Sequence, residues 1–221
     1  YGDVSDIWDG FHQYVLTNPN SDMRIGTTEL PGAEGELVYM DLSAEELGYP
    51  DSIRKYAAVD FMWQRAWDGG WMLNAAYTWS HNWGNNEGYV RSDNGQDDAG
   101  LTTLFDQPGL LDNAYGDLPN DRRHQVKLYG AYVVTEDLTL GANLQFWTGR
   151  PINAFGYHPT DTFAQAYDSE SFFAGGEPAP RGSRGRTSSY YSIDVSASYN
   201  IDIGEDQTLV VRADIFNLLN N

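Results

Sequence analysis

Two groups of basic side chains stand out in an otherwise acidic sequence. Arg122 and Arg123 follow Asp121 directly, and Arg181, Arg184 and Arg186 lie close together further on. A guanidinium presents a planar fork of donors that matches a carboxylate or phosphate two-on-two, so these five arginines are candidates for holding an anionic ligand group such as a sugar phosphate. The competing expectation is that they pair with the acidic loops around them. Asp93, Asp97 and Asp98, with Asn94 and Gly95 among them, offer hard oxygens of the kind that hold Ca2+; their spacing is not that of an EF-hand, and a solvated loop is the alternative. No catalytic set emerges. His12, His81, His124 and His158 lie far apart without the i, i+4 pairing of a zinc protease, and Ser188-Ser189 lack a nucleophile elbow. Beyond the calcium candidate no cofactor is implied, and the expectation is a protein that is not an enzyme.

The acidity that surrounds these groups is unevenly placed. The net charge is −19 over 221 residues, which repels nucleic acid phosphates and excludes that partner class. Residues 1–53 carry eleven acids and one Arg, residues 84–121 eight acids and one Arg, and residues 151–189 four acids and three Arg. Those segments account for −18, so the remainder is nearly neutral. With no cysteine, disulfide scaffolds and thiolate metal sites are absent. No apolar run approaches the roughly 20 residues of a membrane-spanning helix. The opening Tyr1-Gly2-Asp3 is not a basic segment followed by an apolar one, so the expectation is a processed or truncated chain.

Between the acidic segments the sequence alternates with a period of two. Trp71, Leu73, Ala75, Tyr77 and Trp79 fall on one side, and Asn74, Ala76, Thr78 and Ser80 on the other. The same period predicts strands from Arg54 (Ala57, Val59, Phe61 and Trp63 apolar, broken by Arg65 before Trp67), over 123–134, over 138–147, over 191–201 and over 209–216. Asp68-Gly69-Gly70, Thr135-Glu136-Asp137 and Gly204-Glu205-Asp206 are turn signals joining these strands as three antiparallel hairpins. Residues 1–53 read as a long loop with a short hairpin around Leu37 to Leu42.

Short turns on one side and loops of about forty residues on the other are the asymmetry of a transmembrane β-barrel, with the long loops outside the cell. The span fits too: eight residues rise about 26 Å, or about 20 Å across a bilayer at a tilt near 40°, against an apolar band of about 25 Å. Trp63, Trp67, Trp71, Trp79, Trp83, Phe146, Tyr191 and Tyr199 would lie in the interfacial aromatic girdles. Arg123, Lys127, Asp194, Arg212 and Asp214 fall on the opposite, polar side, where an ion-pair lattice is expected. The alternative is a secreted acidic β-sandwich that binds carbohydrate, in which the apolar faces would close on a common core.

Several stretches also resemble the barrel region of Oar-like TonB-dependent receptors. They are Val15-Leu16-Thr17-Asn18-Pro19, Tyr77-Thr78-Trp79-Ser80 running on to Gly84-Asn85-Asn86-Glu87-Gly88, Ser92-Asp93-Asn94-Gly95-Gln96, Leu118-Pro119-Asn120-Asp121-Arg122-Arg123-His124, Thr148-Gly149-Arg150-Pro151-Ile152-Asn153, Arg181-Gly182-Ser183-Arg184-Gly185-Arg186 and Asp214-Ile215-Phe216-Asn217-Leu218-Leu219-Asn220. The resemblance implies about six strands of a 22-stranded barrel and a partial receptor domain over 1–221 without plug, TonB box or final strand. It also implies a Gram-negative outer-membrane location, with lipid, lipopolysaccharide, the TonB complex and a small-molecule or peptide ligand as partners. Energised ligand uptake is the implied function; export or surface adhesion is the alternative within the same fold.

Overall fold

The computed structural model describes residues 18–28, 35–95 and 103–220. The strands are β1 (Met23–Thr27), β2 (Val38–Leu42), β3 (Arg54–Arg65), β4 (Trp71–Gly84), β5 (Gly116–Asp117), β6 (His124–Val133), β7 (Leu138–Trp147), β8 (Phe173–Ala174), β9 (Glu177–Pro178), β10 (Tyr190–Gly204) and β11 (Gln207–Ile215). One helical turn, α1 (Thr162–Gln165), and one 3-10 turn, Pro108–Leu111, complete the described elements. The fold is thus all-β, and among the described residues no helix is long and apolar enough to cross a membrane.

The chain divides into two units. The first, the sheet unit, is residues 56–82, 120–151 and 186–221. Its strands follow one another as an antiparallel meander in the order β11-β10-β7-β6-β4-β3, with short turns at one end of the strands. All six strands and all three hairpins appear where the period of two predicts them.

Register fixes which side chains share a face, since directly opposed residues point the same way. Tyr77 opposes Val126, which opposes Phe146, which opposes Tyr191. Leu73, Gly130, Ala142, Val195 and Ile215 form the same kind of row across five strands. Phe61 stacks on Tyr77 and Trp63 lies against Trp71, so β3 adds its odd residues to this face. The apolar face is therefore continuous over six strands, with Trp63, Trp71, Tyr132 and Tyr199 toward the short turns and Tyr77, Trp79, Phe146 and Tyr191 toward the long connections. Small and aliphatic residues fill the middle. The opposite face carries Asn74, Thr78, Gln125, Lys127, Gln145, Asp194, Ser196 and Arg212. On it Asn143 Nδ2 donates to Asp194 at 3.0 Å, and Arg212 grips Asp214 of its own strand at 2.8–3.0 Å. The expected lattice on the polar side is in this unit a set of local contacts.

Among the described residues no shared core forms on the apolar face. Val59 is 47% exposed, Leu140 44% and Val211 51%, and every buried Ala, Leu or Phe side chain among the described residues lies in the other unit. A sandwich would bury these residues against a second sheet.

The second, the loop unit, is residues 1–55, 83–119 and 152–185. Its described residues hold more regular structure than a period-of-two reading suggests. β1 pairs with β2 over five residues, a wider hairpin than the one expected around Leu37 to Leu42. β8 and β9 close a tight hairpin whose two turn residues, Gly175 and Gly176, both take positive φ, as a two-residue turn between twisted strands requires. Leu104, Phe105, Leu111, Ala114 and Phe172 make a small core, with Tyr49 and Phe155 against it.

The connection after β4 is pinned by a close approach. Asn85 and Asn86 both donate their backbone N–H to Ile53 O, at 2.9 and 3.2 Å, and Asn85 Oδ1 accepts from Ile53 N at 2.7 Å. Gly84, at φ +148°, makes room for this, since a Cβ there would lie 2.0 Å from Ile53 O. Gly84→Ala is expected to destabilise the junction by about 1–3 kcal/mol through backbone strain. Hydrogen exchange should show it as lost protection at Asn85 and Asn86, with the β6 and β7 amides unchanged.

Candidate functional site: buried ion pairs in the loops and at the strand ends

Arg91 and Arg181 are the hub of the loop unit, exposed by only 1% and 3%. Arg91 Nε donates to Asp93 Oδ1 at 3.0 Å, its Nη1 to Glu170 Oε2 at 2.8 Å and to Thr103 Oγ1 at 3.1 Å, and its Nη2 to Glu170 O at 3.1 Å. Arg181 Nε donates to Ala114 O at 2.7 Å, and its Nη1 to Glu87 Oε1 at 2.6 Å and Asp93 Oδ2 at 2.8 Å. Asp93 thus bridges both guanidinium groups, and Asn153 Nδ2 adds a third donor to it at 2.9 Å. The two cations also cover the faces of Phe172 and, for Arg91, of Phe155 at 4.6–5.6 Å, a cation–π contribution that grows when water is excluded. Residues from 87–114 and from 153–182 are tied together by this lattice.

A buried charge survives only when paired and hydrogen-bonded, and each carboxylate here meets that condition. Glu87 does so at a cost. Burial pushes its carboxyl above the ordinary range and the neighbouring Asp93 charge adds to that, while Arg181 opposes both. Tyr49 is pushed up to about 12 by burial and by Asp106, whose backbone carbonyl accepts from its hydroxyl at 2.8 Å.

His158 is a different kind of buried polar group. Its Nδ1 accepts from Asp161 N at 2.8 Å and its Nε2 faces Asp112 Oδ2 at 3.0 Å, so the Nε2–H tautomer satisfies both. Asp161 in turn caps α1 by accepting from Phe163 N and Ala164 N.

The sheet unit has its own node at Asp121, which has no exposed surface. It accepts from Arg123 Nε at 2.7 Å, from Asn82 N at 2.7 Å and from Arg186 Nη2. Arg186 Nη1 also donates to Asp121 O and Gly149 O, and Arg122 Nη1 donates to Thr148 O at 2.9 Å. Burial alone would raise the Asp121 carboxyl, but Arg186, Arg123 and the Asn82 N–H together hold it below the ordinary carboxylate range.

The five candidate arginines therefore do not converge on one cleft. Arg181 takes the pairing course inside the loop unit, Arg123 and Arg186 share Asp121 in the sheet unit, Arg122 caps a carbonyl there, and Arg184 is exposed. Asp93 is not solvated: both its oxygens are taken by Arg91, Arg181 and Asn153. Asp97, Asp98 and His12 lie outside the described residues, and among the described residues no group of three His, Asp or Glu is placed to hold a metal ion. Of the aromatics assigned to girdles, Trp67 lies in the turn after β3, and Trp83 belongs to the loop unit, where it opposes Asp117. Sequence reasoning missed Arg91, Glu87, Glu170 and Phe172. A lone arginine among the acids of residues 84–121 was the available signal.

An all-β chain with an uncovered apolar sheet face and a separately packed acidic loop unit is the class these features define. Over 176 residues, 78% of the chain, the sequence is 35% identical to the TonB-dependent transporter Oar of Myxococcus xanthus. The match spans 16% of that protein, about a sixth of its length. This similarity supports kinship with the TonB-dependent transporters. No protein-family model and no solved structure matches the chain.

Arg91→Leu takes the cation from Glu170 and leaves Asp93 with Arg181 alone, a loss of about 3–5 kcal/mol in loop-unit stability. Limited proteolysis should then cut within 103–119 or 152–185 while β6 and β7 stay protected. The pH dependence has two signs. Asp121, with its lowered value, stabilises above its ordinary range and loses that contribution as pH falls through the lowered value. Glu87, with its raised value, favours the folded loop unit when protonated and loses that contribution as pH rises through the raised value. Corrected amide exchange in the loop unit should therefore slow as pH is lowered from neutrality toward the ordinary glutamate range. Glu87→Gln, which keeps an acceptor for Arg181, should flatten that trend.

Proposed function

We propose that this chain is part of the wall and outer mouth of a TonB-dependent outer-membrane transporter, serving ligand binding and energised uptake and not catalysis. The observation that supports it most is the apolar sheet face, exposed over six strands and bounded at both ends by aromatic rings, which is the surface lipid tails and their interfaces would cover. The polar face then lines the interior. In lipid every backbone polar group must be paired, so β3 and β11, the outermost strands of this sheet, continue into further strands of a closed wall.

On this reading the short turns are periplasmic and the acidic loop unit is extracellular. Its ion-pair lattice gives the loops a fixed shape, which lowers the entropic cost of capturing a ligand. Arg184 is the member of the arginine group placed to meet an anionic part of that ligand; the other four hold the loops and strand ends. Lipopolysaccharide surrounds the outer rim, and the TonB complex acts through a plug region. A small molecule or peptide is the transported species.

Neighbouring substitutions separate the faces. In the full-length protein in lipid vesicles, Leu144→Arg should cost about 2–4 kcal/mol in unfolding stability, as expected for a cation near the bilayer midplane. Gln145→Glu, one residue on and opposite Lys127, should cost little. Equal effects would remove the assignment of faces. A strain lacking the gene should fail to grow on one or more ligands presented at low concentration, and recover with the intact gene. Normal growth on all of them with impaired surface attachment would point instead to adhesion, and impaired release of a secreted protein to export.

A further inference from the structure

Arg65 is a charged side chain at the short-turn end of the apolar face of β3, and its surroundings give it a use. Its guanidinium carbon lies 4.1 Å over the Trp71 ring, and Trp63 packs beside Trp71 at 6.4 Å. Trp67 follows in the turn, 49% exposed. Arg65 Nη2 is paired with Asp68, while its Nε has no hydrogen-bond partner. Asp68 is fixed in turn, since its Oδ1 accepts from Gly70 N at 3.0 Å and Trp71 N at 3.2 Å. These backbone bonds hold its carboxyl below the ordinary range, with Arg65 adding to the effect, so it is a charged group at neutral pH. The short-turn end of the apolar face thus presents one cation and one anion, side by side, against the indoles of Trp71 and Trp63, with Trp67 exposed in the adjoining turn.

We propose that this cluster binds the headgroup of a zwitterionic phospholipid bearing a primary ammonium, that is, phosphatidylethanolamine. The phosphate would sit on the Arg65 guanidinium and the ammonium on the Asp68 carboxylate, with the indoles along the glycerol and upper acyl chain. Two features select this class. A purely anionic headgroup would meet Asp68 as well as Arg65, and a choline headgroup has no N–H to donate to the carboxylate. The turn end also faces the inner leaflet, where phospholipid and not lipopolysaccharide is the neighbour. This inference rests on the membrane reading of the sheet.

The test uses the full-length protein purified in detergent, titrated with phosphatidylethanolamine, phosphatidylcholine or phosphatidylglycerol, with retained lipid counted by native mass spectrometry. Wild-type protein should retain phosphatidylethanolamine in preference to the other two. Loss of one charge-assisted contact should lower the affinity of one retained phosphatidylethanolamine about tenfold in Arg65→Gln. Asp68→Asn should remove the preference over phosphatidylglycerol. Arg65→Lys, which keeps the charge, and Trp67→Leu, at an exposed ring, control for folding; the first should restore most of the binding and the second weaken it for all three lipids. Equal retention by wild type and Arg65→Gln, or no preference among the lipids in wild type, would overturn the headgroup site and leave the membrane reading standing. A protein that stays in solution without detergent and retains no lipid would overturn both.

Discussion

On a β-strand each side chain is committed to one of two faces by a repeat of two residues, and the rest of this structure follows from how that commitment is used. Six strands keep the same phase through three hairpins, so Leu73, Gly130, Ala142, Val195 and Ile215 end in one row although they are spread over more than a hundred residues of sequence. A slip of one residue in any strand would turn its row over and place Lys127 or Asp194 among the apolar side chains. The phase is held because every strand carries both sets.

Such a sheet cannot stabilise itself by burying apolar surface within the chain, because the surface it offers is left open. The burial that the described residues do achieve is in the connections, around Phe172 and its neighbours. Connections of this length with so few apolar residues would ordinarily be too costly in entropy to order. Here charge substitutes for hydrophobic mass. Arg91 and Arg181 gather Glu87, Asp93 and Glu170, and each of these carboxylates meets a guanidinium donor. Removing any one member is costly for that reason.

Legibility in the sequence tracked the range of the interaction. β4, β6, β7 and β10 were readable because alternation is local, and the hairpins because Asp68-Gly69-Gly70 and its counterparts sit between matched runs. Gly175-Gly176 is an equally local turn signal, but the strands beside it are two residues each, too short for alternation to show. Arg65 looked like a defect in a pattern; in three dimensions its stem and charge are absorbed by Trp71 and Asp68. The lattice partners were unreadable in principle. Arg91 meets Glu170 and Arg181 meets Glu87 across 79 and 94 residues, and no periodicity records such a pairing.

The sequence by itself determined the two faces, the hairpins and the placing of nearly all the net charge in the long connections, since each depends on neighbours within a few residues. Only the tertiary structure decided which of the many acids and few bases are buried together. Coulombic attraction alone does not choose among so many carboxylates. The choice is made by backbone geometry, through positions such as Gly84 where the chain passes close to itself, and by the few carboxylates left where water cannot reach.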